Sequence, residues 1–197
     1  MTLGALSSLT SRAAVMAAAR LILAQEGISA LTVRRLADAL GCSTKVIYTR
    51  FGGKEGLVDA LYLDAFARLG EALAAVPLVY DPLVRLKGSV DAYRRLALAD
   101  PVGYRIMFGG AIGDFTPPLA SRRRASETFN TMRRGVANCM DAGLLTRDDA
   151  GHVARLIWVT AHGAVSLELL GLLPENDADA RFASAINATL RALGAPE

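Results

Sequence analysis

The chain has 197 residues, 52% hydrophobic and 21% charged, a balance that excludes a disordered chain and allows one sizeable core, or a small domain joined to a larger one. Its formal net charge is only +3, but residues 1–57 carry seven Lys/Arg against three acids, whereas the remaining 140 carry 15 against 16. The positive excess is therefore local, no acid occurs between Asp38 and Glu55, and a basic surface of that kind attracts phosphate.

No stretch alternates as a half-buried strand does, and apolar residues at three and four spacing predict an all-helical chain of about nine helices. The opening "MTLGALSSLTS" reads as a loose tail without the features of a signal peptide. A first helix is predicted from Arg12 to Glu26, stopped by Gly27. In "LTVRRLADALG", Thr32 is a natural N-cap, Val33, Leu36, Ala37 and Leu40 form the buried stripe, and Gly41 ends the helix. Ser43 then caps a short helix, "TKVIYTRF", whose Ile47 and Phe51 form the i, i+4 pair facing the core. Helix, glycine-containing turn and short helix together make the sequence form of a helix-turn-helix.

Gly52-Gly53 breaks the chain before a long amphipathic helix that starts at Lys54 and ends near Pro77. Asp81 and Pro82 cap and start the next helix, and Pro101 starts a short apolar one. A loop rich in Gly and Pro, "GGAIGDFTPP", leads to a helix over about 119–142, with Gly143 as its stop. Helices over roughly Arg147 to Leu170 and Asp177 to Leu193 complete the chain. The apolar run "LIWVTAHGAVSLELLGLL" is interrupted by His162, Gly163, Ser166 and Glu168, so no membrane span is expected, and a cytoplasmic location is. Cys42 and Cys139 lack metal-ligand spacing; both are expected to be buried, with no metal, disulfide or cofactor implied.

With Ile47 and Phe51 inward, Thr44, Lys45, Tyr48, Thr49 and Arg50 face outward. That face suits a DNA groove. Lys45 can donate to guanine acceptors, the threonine hydroxyls can meet bases or phosphates, and Tyr48 and Arg50 can reach backbone oxygens. Ser43, at the cap, is counted with them, and Lys54 opens a helix whose free N–H groups also favour phosphate. A plain solvated face is the competing reading; the capped preceding helix and the acid-free window favour DNA.

"GISALTVRRLADALGCSTKVIYTRFGGKEGLVDAL" resembles the DNA-binding region of TetR-family transcriptional regulators, through Tyr48, the following aromatic Phe51, and Lys54 opening the fourth helix. The resemblance covers about residues 12–60. It implies that Tyr48 and Lys54 contact phosphates, that Thr32 or Val33 lies beside another, and that Arg34, Thr44, Lys45, Val46 and Thr49 read bases. Lys45 departs from the small or apolar residue common in the family, and Arg50 stands where His is frequent.

"YRIMFG" together with "WVTAHGAVSLELLG" resembles the regulatory domain of a TetR subgroup with a Trp and a His-Gly pair in its eighth helix. The resemblance implies dimerisation through the last two helices and a mostly apolar pocket for a small-molecule effector. Read physically, the helix over 147–170 is apolar on more than one face, and Gly163 and Ala164 would let a partner helix approach closely. A two-fold dimer on a near-palindromic double-stranded site follows.

Phe66, Tyr93, Tyr104, Met107, Phe108, Phe129, Trp158 and His162 are candidate pocket residues, with ordinary core as the alternative for each. His162 and Ser166, one helical turn apart, invite a catalytic reading, but there is no nucleophile elbow and no acid placed to orient the ring, so no catalytic residue is assigned. Arg122-Arg123-Arg124, with Arg133 and Arg134, reads as a solvated face or, more sharply, as recognition of an acidic effector or partner. The expected protein is a ligand-responsive regulator, most simply a repressor, binding DNA through residues 1–54 and sensing and dimerising through 55–197. The rivals are an activator on the same fold, and a helical small-molecule-binding protein or enzyme whose N-terminal helices are merely structural.

Overall fold

The computed structural model of the protein describes residues 11–108, 115–174 and 176–196. Most of the predicted N-terminal tail and residues 109–114 of the Gly/Pro-rich loop, with Gly109 of the regulatory resemblance, lie outside them. Among the described residues there are nine α-helices and one short 3-10 turn. They form two compact units, one holding the chain up to Phe66 with Val102–Arg124, the other Ala67–Pro101 with the chain from Ala125 onward.

The first unit is built by local punctuation. In α1 (Arg12–Gln25), Ser11 Oγ accepts from the Ala14 N–H at 3.1 Å, and Val15, Ala19, Ile22 and Leu23 are buried. Gly27, at φ 79°, turns the chain into the 3-10 turn Ile28–Ala30. Thr32 then caps α2 (Val33–Leu40), its Oγ1 accepting from Arg35 N–H at 3.0 Å, and Gly41 closes α2 in the left-handed region. Next come α3 (Thr44–Phe51) and α4 (Lys54–Ala74). α2 packs on both α1 and α3, and Val15, Leu36, Ile47, Leu57 and Leu61 are fully buried in this unit.

Three details differ from the sequence reading. Ser43 holds the N-cap position with extended backbone, but its side chain makes no capping bond; Val46 N–H bonds to the Ser43 carbonyl at 3.0 Å instead, leaving the hydroxyl exposed. In the α2 stripe, Leu36 and Ala37 are buried while Val33 and Leu40, at the helix ends, are half-buried. Cys139 is buried, its thiol pushed up to about 11 chiefly by that burial, whereas Cys42, just past the end of α2, is half-buried.

The second unit contains α5 (Pro82–Ala99), α8 (Ala150–Leu169), α9 (Ala178–Ala192) and most of α7 (Leu119–Asp141); the short α6 is Pro101–Phe108. Asp81 caps α5 as expected, its carboxylate accepting from Leu83 N–H at 2.7 Å and Val84 N–H at 3.3 Å. α8 starts three residues later than its hydrophobic pattern implies, because Asp149 stays extended and caps it, accepting from Gly151 N–H at 2.8 Å. α8 packs on α9 and on α5.

Arg94 of α5 ties these three helices together. Its guanidinium donates to Glu168 of α8 at 2.9 and 2.7 Å and to Asp179 of α9 at 2.6 Å, and lies 5.1 Å from the centre of the Phe182 ring. The side chain is 11% exposed against 20% for Glu168, so replacing Arg94 with Ala strands a partly desolvated carboxylate. Arg94→Ala should cost about 2 kcal/mol, roughly 4–8 °C in melting temperature by calorimetry. Asp179→Ala, removing a carboxylate that is 93% exposed, should cost less than about 0.5 kcal/mol.

Among the described residues, no helix is long and apolar enough to cross a membrane, and no three His, Cys, Asp or Glu residues stand close enough to hold a metal ion.

Candidate nucleic-acid interface

α3 is short because glycine bounds it and its neighbours hold it. Ile47 is fully buried and Phe51 is 8% exposed, which anchors one face; Ser43, Thr44, Lys45, Tyr48, Thr49 and Arg50 lie exposed on the rest, and Val46 is half-buried. At the start of α2, Thr32 and Arg34 are exposed and Val33 is half-buried; Lys54 is exposed at the start of α4. Each of these starts leaves backbone N–H groups without intrahelical acceptors, which favours an anion.

Glycines shape the junction of α3 and α4. Gly53 has φ 119°, and a β-carbon there would lie 3.3 Å from Tyr48 Cε1, so the tyrosine ring rests along the glycine backbone. Tyr48 remains 58% exposed. At Gly56, in the first turn of α4, a β-carbon would overlap the carbonyl oxygen of Phe51. The end of α3 therefore lies directly against the next helix.

The cations of this unit are unequal. Arg35 makes a paired contact with Glu26, Nε to Oε2 at 3.1 Å and NH2 to Oε1 at 2.6 Å, which holds the Glu26 carboxyl below its usual range. That charge is internally balanced, whereas Arg34 beside it faces solvent. Arg12 is a functional candidate that sequence reasoning missed. Its guanidinium lies 4.6 Å from the Phe51 ring centre and donates to the Arg50 carbonyl at 3.4 Å, placing a positive charge at the negative end of α3. With Ser43, Lys45, Val46, Thr49 and Arg50 it borders a shallow depression of about 560 Å³. The locally basic N-terminus is a signal for it, but no local motif joins residues 38 apart.

The eight aromatic, Met and His candidates for a ligand pocket form two groups, one in each unit. In the first unit, Phe66 stands 5.7 Å from Phe108, and Tyr104 stands 5.3 Å from Phe108, by ring centres. Tyr62, absent from the sequence-based set, extends this group 4.9 Å from Phe66, and Met107 is half-buried beside Phe108 in α6. In the second unit, Trp158 lies 6.5 Å from Phe129 and 5.1 Å from His162. The Tyr93 hydroxyl and His162 Nδ1 share a hydrogen bond at 2.9 Å, and burial lowers the His162 pKa, favouring the neutral ring. A neutral imidazole hydrogen-bonded to a buried phenol is polar lining inside an aromatic cluster.

Comparison with known proteins bears on both units. Residues 15–61 match the model of the family described as bacterial regulatory proteins, tetR family. Residues 86–189, more than half of the chain, match the model of a tetracyclin repressor-like C-terminal domain. A curated relative, the HTH-type transcriptional repressor AcnR of Corynebacterium glutamicum, is 39% identical over 69 residues; the match spans 35% of this chain and 37% of that protein. Among solved structures, a protein of unknown function from Rhodococcus sp. RHA1 is 25% identical, with a TM-score of 0.82 over 92% of this chain and 94% of that one. PfmR, a TetR-family transcriptional regulator from Thermus thermophilus, shares the fold at a TM-score of 0.72 and 21% identity, covering 90% of this chain and 97% of that one.

Proposed function

The chain belongs to the tetR family of bacterial regulatory proteins, helix-turn-helix regulators that bind DNA and answer to small molecules, and from that premise we propose that it is a cytoplasmic, homodimeric repressor. Residues 1–54 contact a near-palindromic operator, and residues 55–197 sense the effector and form the dimer. One observation carries the DNA reading: a helix anchored by buried Ile47 and Phe51 exposes Thr44, Lys45, Tyr48, Thr49 and Arg50 together. Repression in particular is supported by the likeness to the repressor AcnR over 69 residues, 35% of the chain. Transcription from a target promoter with and without the protein tests it.

Lys45, Thr44, Thr49, Val46 and Arg34 read base edges; Tyr48, Lys54, Thr32, Val33, Ser43 and Arg50 hold phosphates. The dimer sets two copies of α3 about 34–36 Å apart, one turn of DNA. It is supported by a stripe on α8 in which Leu156, Val159, Leu167 and the capping Leu170 are exposed large apolar residues at helical spacing. A β-carbon at Gly163, within that stripe, would meet nothing within 4 Å, so a partner helix has room to approach. The aromatic groups, Tyr93, Phe129, Trp158 and His162 in one and Phe66, Tyr104, Met107 and Phe108 in the other, take part in sensing. Binding and not covalent chemistry is the protein's work. An effector releases DNA only through its differential affinity for the two dimer states, and moving a population from 1:99 to 99:1 takes about 5.5 kcal/mol.

The test is binding of the purified protein, across a salt series, to DNA from upstream of its own gene and to scrambled DNA. Lys54→Ala should weaken binding to all sequences alike and flatten the salt slope by about 1, and Tyr48→Phe should weaken all sequences alike. Lys45→Ala should instead lose about 1–3 kcal/mol of discrimination at one operator position. Unaltered sequence preference in Lys45→Ala would remove that residue from base recognition, and the absence of any salt-dependent DNA affinity would overturn the whole reading.

A further inference from the structure

The second unit contains a cleft of about 320 Å³ that none of the aromatic candidates lines. Its size lies at the lower end of the range for small-molecule sites, roughly 300–1,000 Å³. Leu73, near the end of α4, and Leu86 of α5 are buried there and, with Pro82, give it an apolar side. Two arginines supply the opposite character: Arg85 from α5 and Arg134 from α7.

The polar lining follows from helix geometry. Arg85 and Ser89 are one turn apart on α5, and Thr131, Gly135 and Asn138 recur at four and three spacing on α7, so each helix presents one polar edge to the cleft. Gly135 lets the two helices come close, since a β-carbon there would sit 3.3 Å from Leu86 Cδ1. Arg134 NH2 reaches Thr131 Oγ1 at 3.4 Å, and Ser89 Oγ donates to the Arg85 carbonyl at 3.1 Å. Among the described residues, no acid lines the cleft. Asp81, one residue before Pro82, has its carboxylate engaged in capping α5. Two guanidinium groups without a lining carboxylate, beside an apolar floor, match a ligand with an anionic head and a short hydrocarbon body. Planar guanidinium forks suit a carboxylate in particular, because each can give two parallel N–H···O bonds.

We propose that the α4–α5–α7 cleft binds a small organic carboxylate and that this anion is the effector to which the regulator responds. The inference rests on the ligand-responsive reading above and names the chemical class that reading leaves open. It also divides the arginine-rich surface of α7, assigning Arg134 to the effector and leaving Arg122, Arg123 and Arg124 outside the cleft.

The experiment is isothermal titration calorimetry of the full chain with hexanoate, benzoate, the neutral hexanamide and inorganic phosphate, followed by operator binding at saturating concentrations of each. One of the two carboxylates should bind and release DNA, while hexanamide should do neither. Arg85→Gln and Arg134→Gln should each weaken that carboxylate about tenfold or more. Arg95→Gln, an equal charge change at an exposed position of α5 outside the cleft, should leave carboxylate affinity and DNA affinity unchanged. Equal binding of hexanoate and hexanamide, tighter binding of phosphate than of either carboxylate, or unchanged affinity in both arginine variants would overturn the proposal. So would carboxylate binding without any change in DNA affinity. Operator binding is also measured without additives, so a protein that binds its operator but no carboxylate refutes this inference alone. A protein that binds no DNA refutes the regulator reading.

Discussion

Gly56→Ala is expected to unfold the DNA-binding unit or to force its recognition helix out of place. The added methyl has no room: a β-carbon at 56 meets the backbone carbonyl oxygen of Phe51, and a backbone atom cannot rotate aside as a flexible side chain can. Either α3 moves off α4, opening the packing of buried Ile47 and Phe51, or the first turn of α4 unwinds and carries Lys54 with it. The expected loss is about 3 kcal/mol or more, seen as a fall in melting temperature of roughly 6–12 °C. Operator affinity should fall at least a hundredfold. Gly70→Ala provides the contrast on the same helix, where a β-carbon would meet nothing within 4 Å. There the substitution should stabilise the protein by roughly 0.5–1 kcal/mol, the usual gain from replacing a mid-helix glycine. If the two variants melted alike, the close crossing of α3 and α4 would be wrong.

Val159→Glu is expected to convert the dimer into a folded monomer that no longer holds its operator. Val159 is 62% exposed in the single chain, so a carboxylate there costs the monomer little; in the proposed dimer it would be buried in an apolar seam without a partner. Sedimentation velocity should show one chain at micromolar concentration, with the helical circular dichroism of the parent. Losing the second half-site removes the intramolecular advantage of the second contact, and operator affinity should fall by a factor of about 10²–10⁴. A variant that stays dimeric would place the interface on another surface. A monomer with parental DNA affinity would overturn the two-half-site model instead.

The parts of the fold that can be read from residue order are those decided within one or two helical turns. Thr32 and Asp81 cap, Gly41 and Gly52 stop, and Ile47 and Phe51 face inward because each of these outcomes depends on neighbours three or four positions away. The start of α8 falls later than residue order implies because hydrophobic spacing continues through Arg147 while the chain is held extended by Asp149. What residue order conceals is set by distant packing. Arg12 meets Phe51 and the Arg50 carbonyl only because α1 lies beside α3, and "KEGLVDAL" contains nothing to show that Gly56 is where two helices touch. The pocket candidates are mostly aromatic residues, a criterion that selects for cores as readily as for cavities. They separate into two groups, and the cleft between α4, α5 and α7 uses Arg, Ser, Thr and Asn instead.

The placement of Trp158 gives the protein a built-in optical reporter. It is the chain's single tryptophan, so all indole emission comes from one point, beside His162 and Phe129. Denaturant curves followed by that emission will describe the second unit alone, while far-ultraviolet circular dichroism averages every helix; a gap between the two curves would measure how independently the units unfold. An imidazolium next to an indole quenches it by accepting an electron, whereas a neutral imidazole does so weakly. Because burial lowers the His162 pKa, the signal should stay bright down through the pH at which an ordinary histidine protonates and dim only below it.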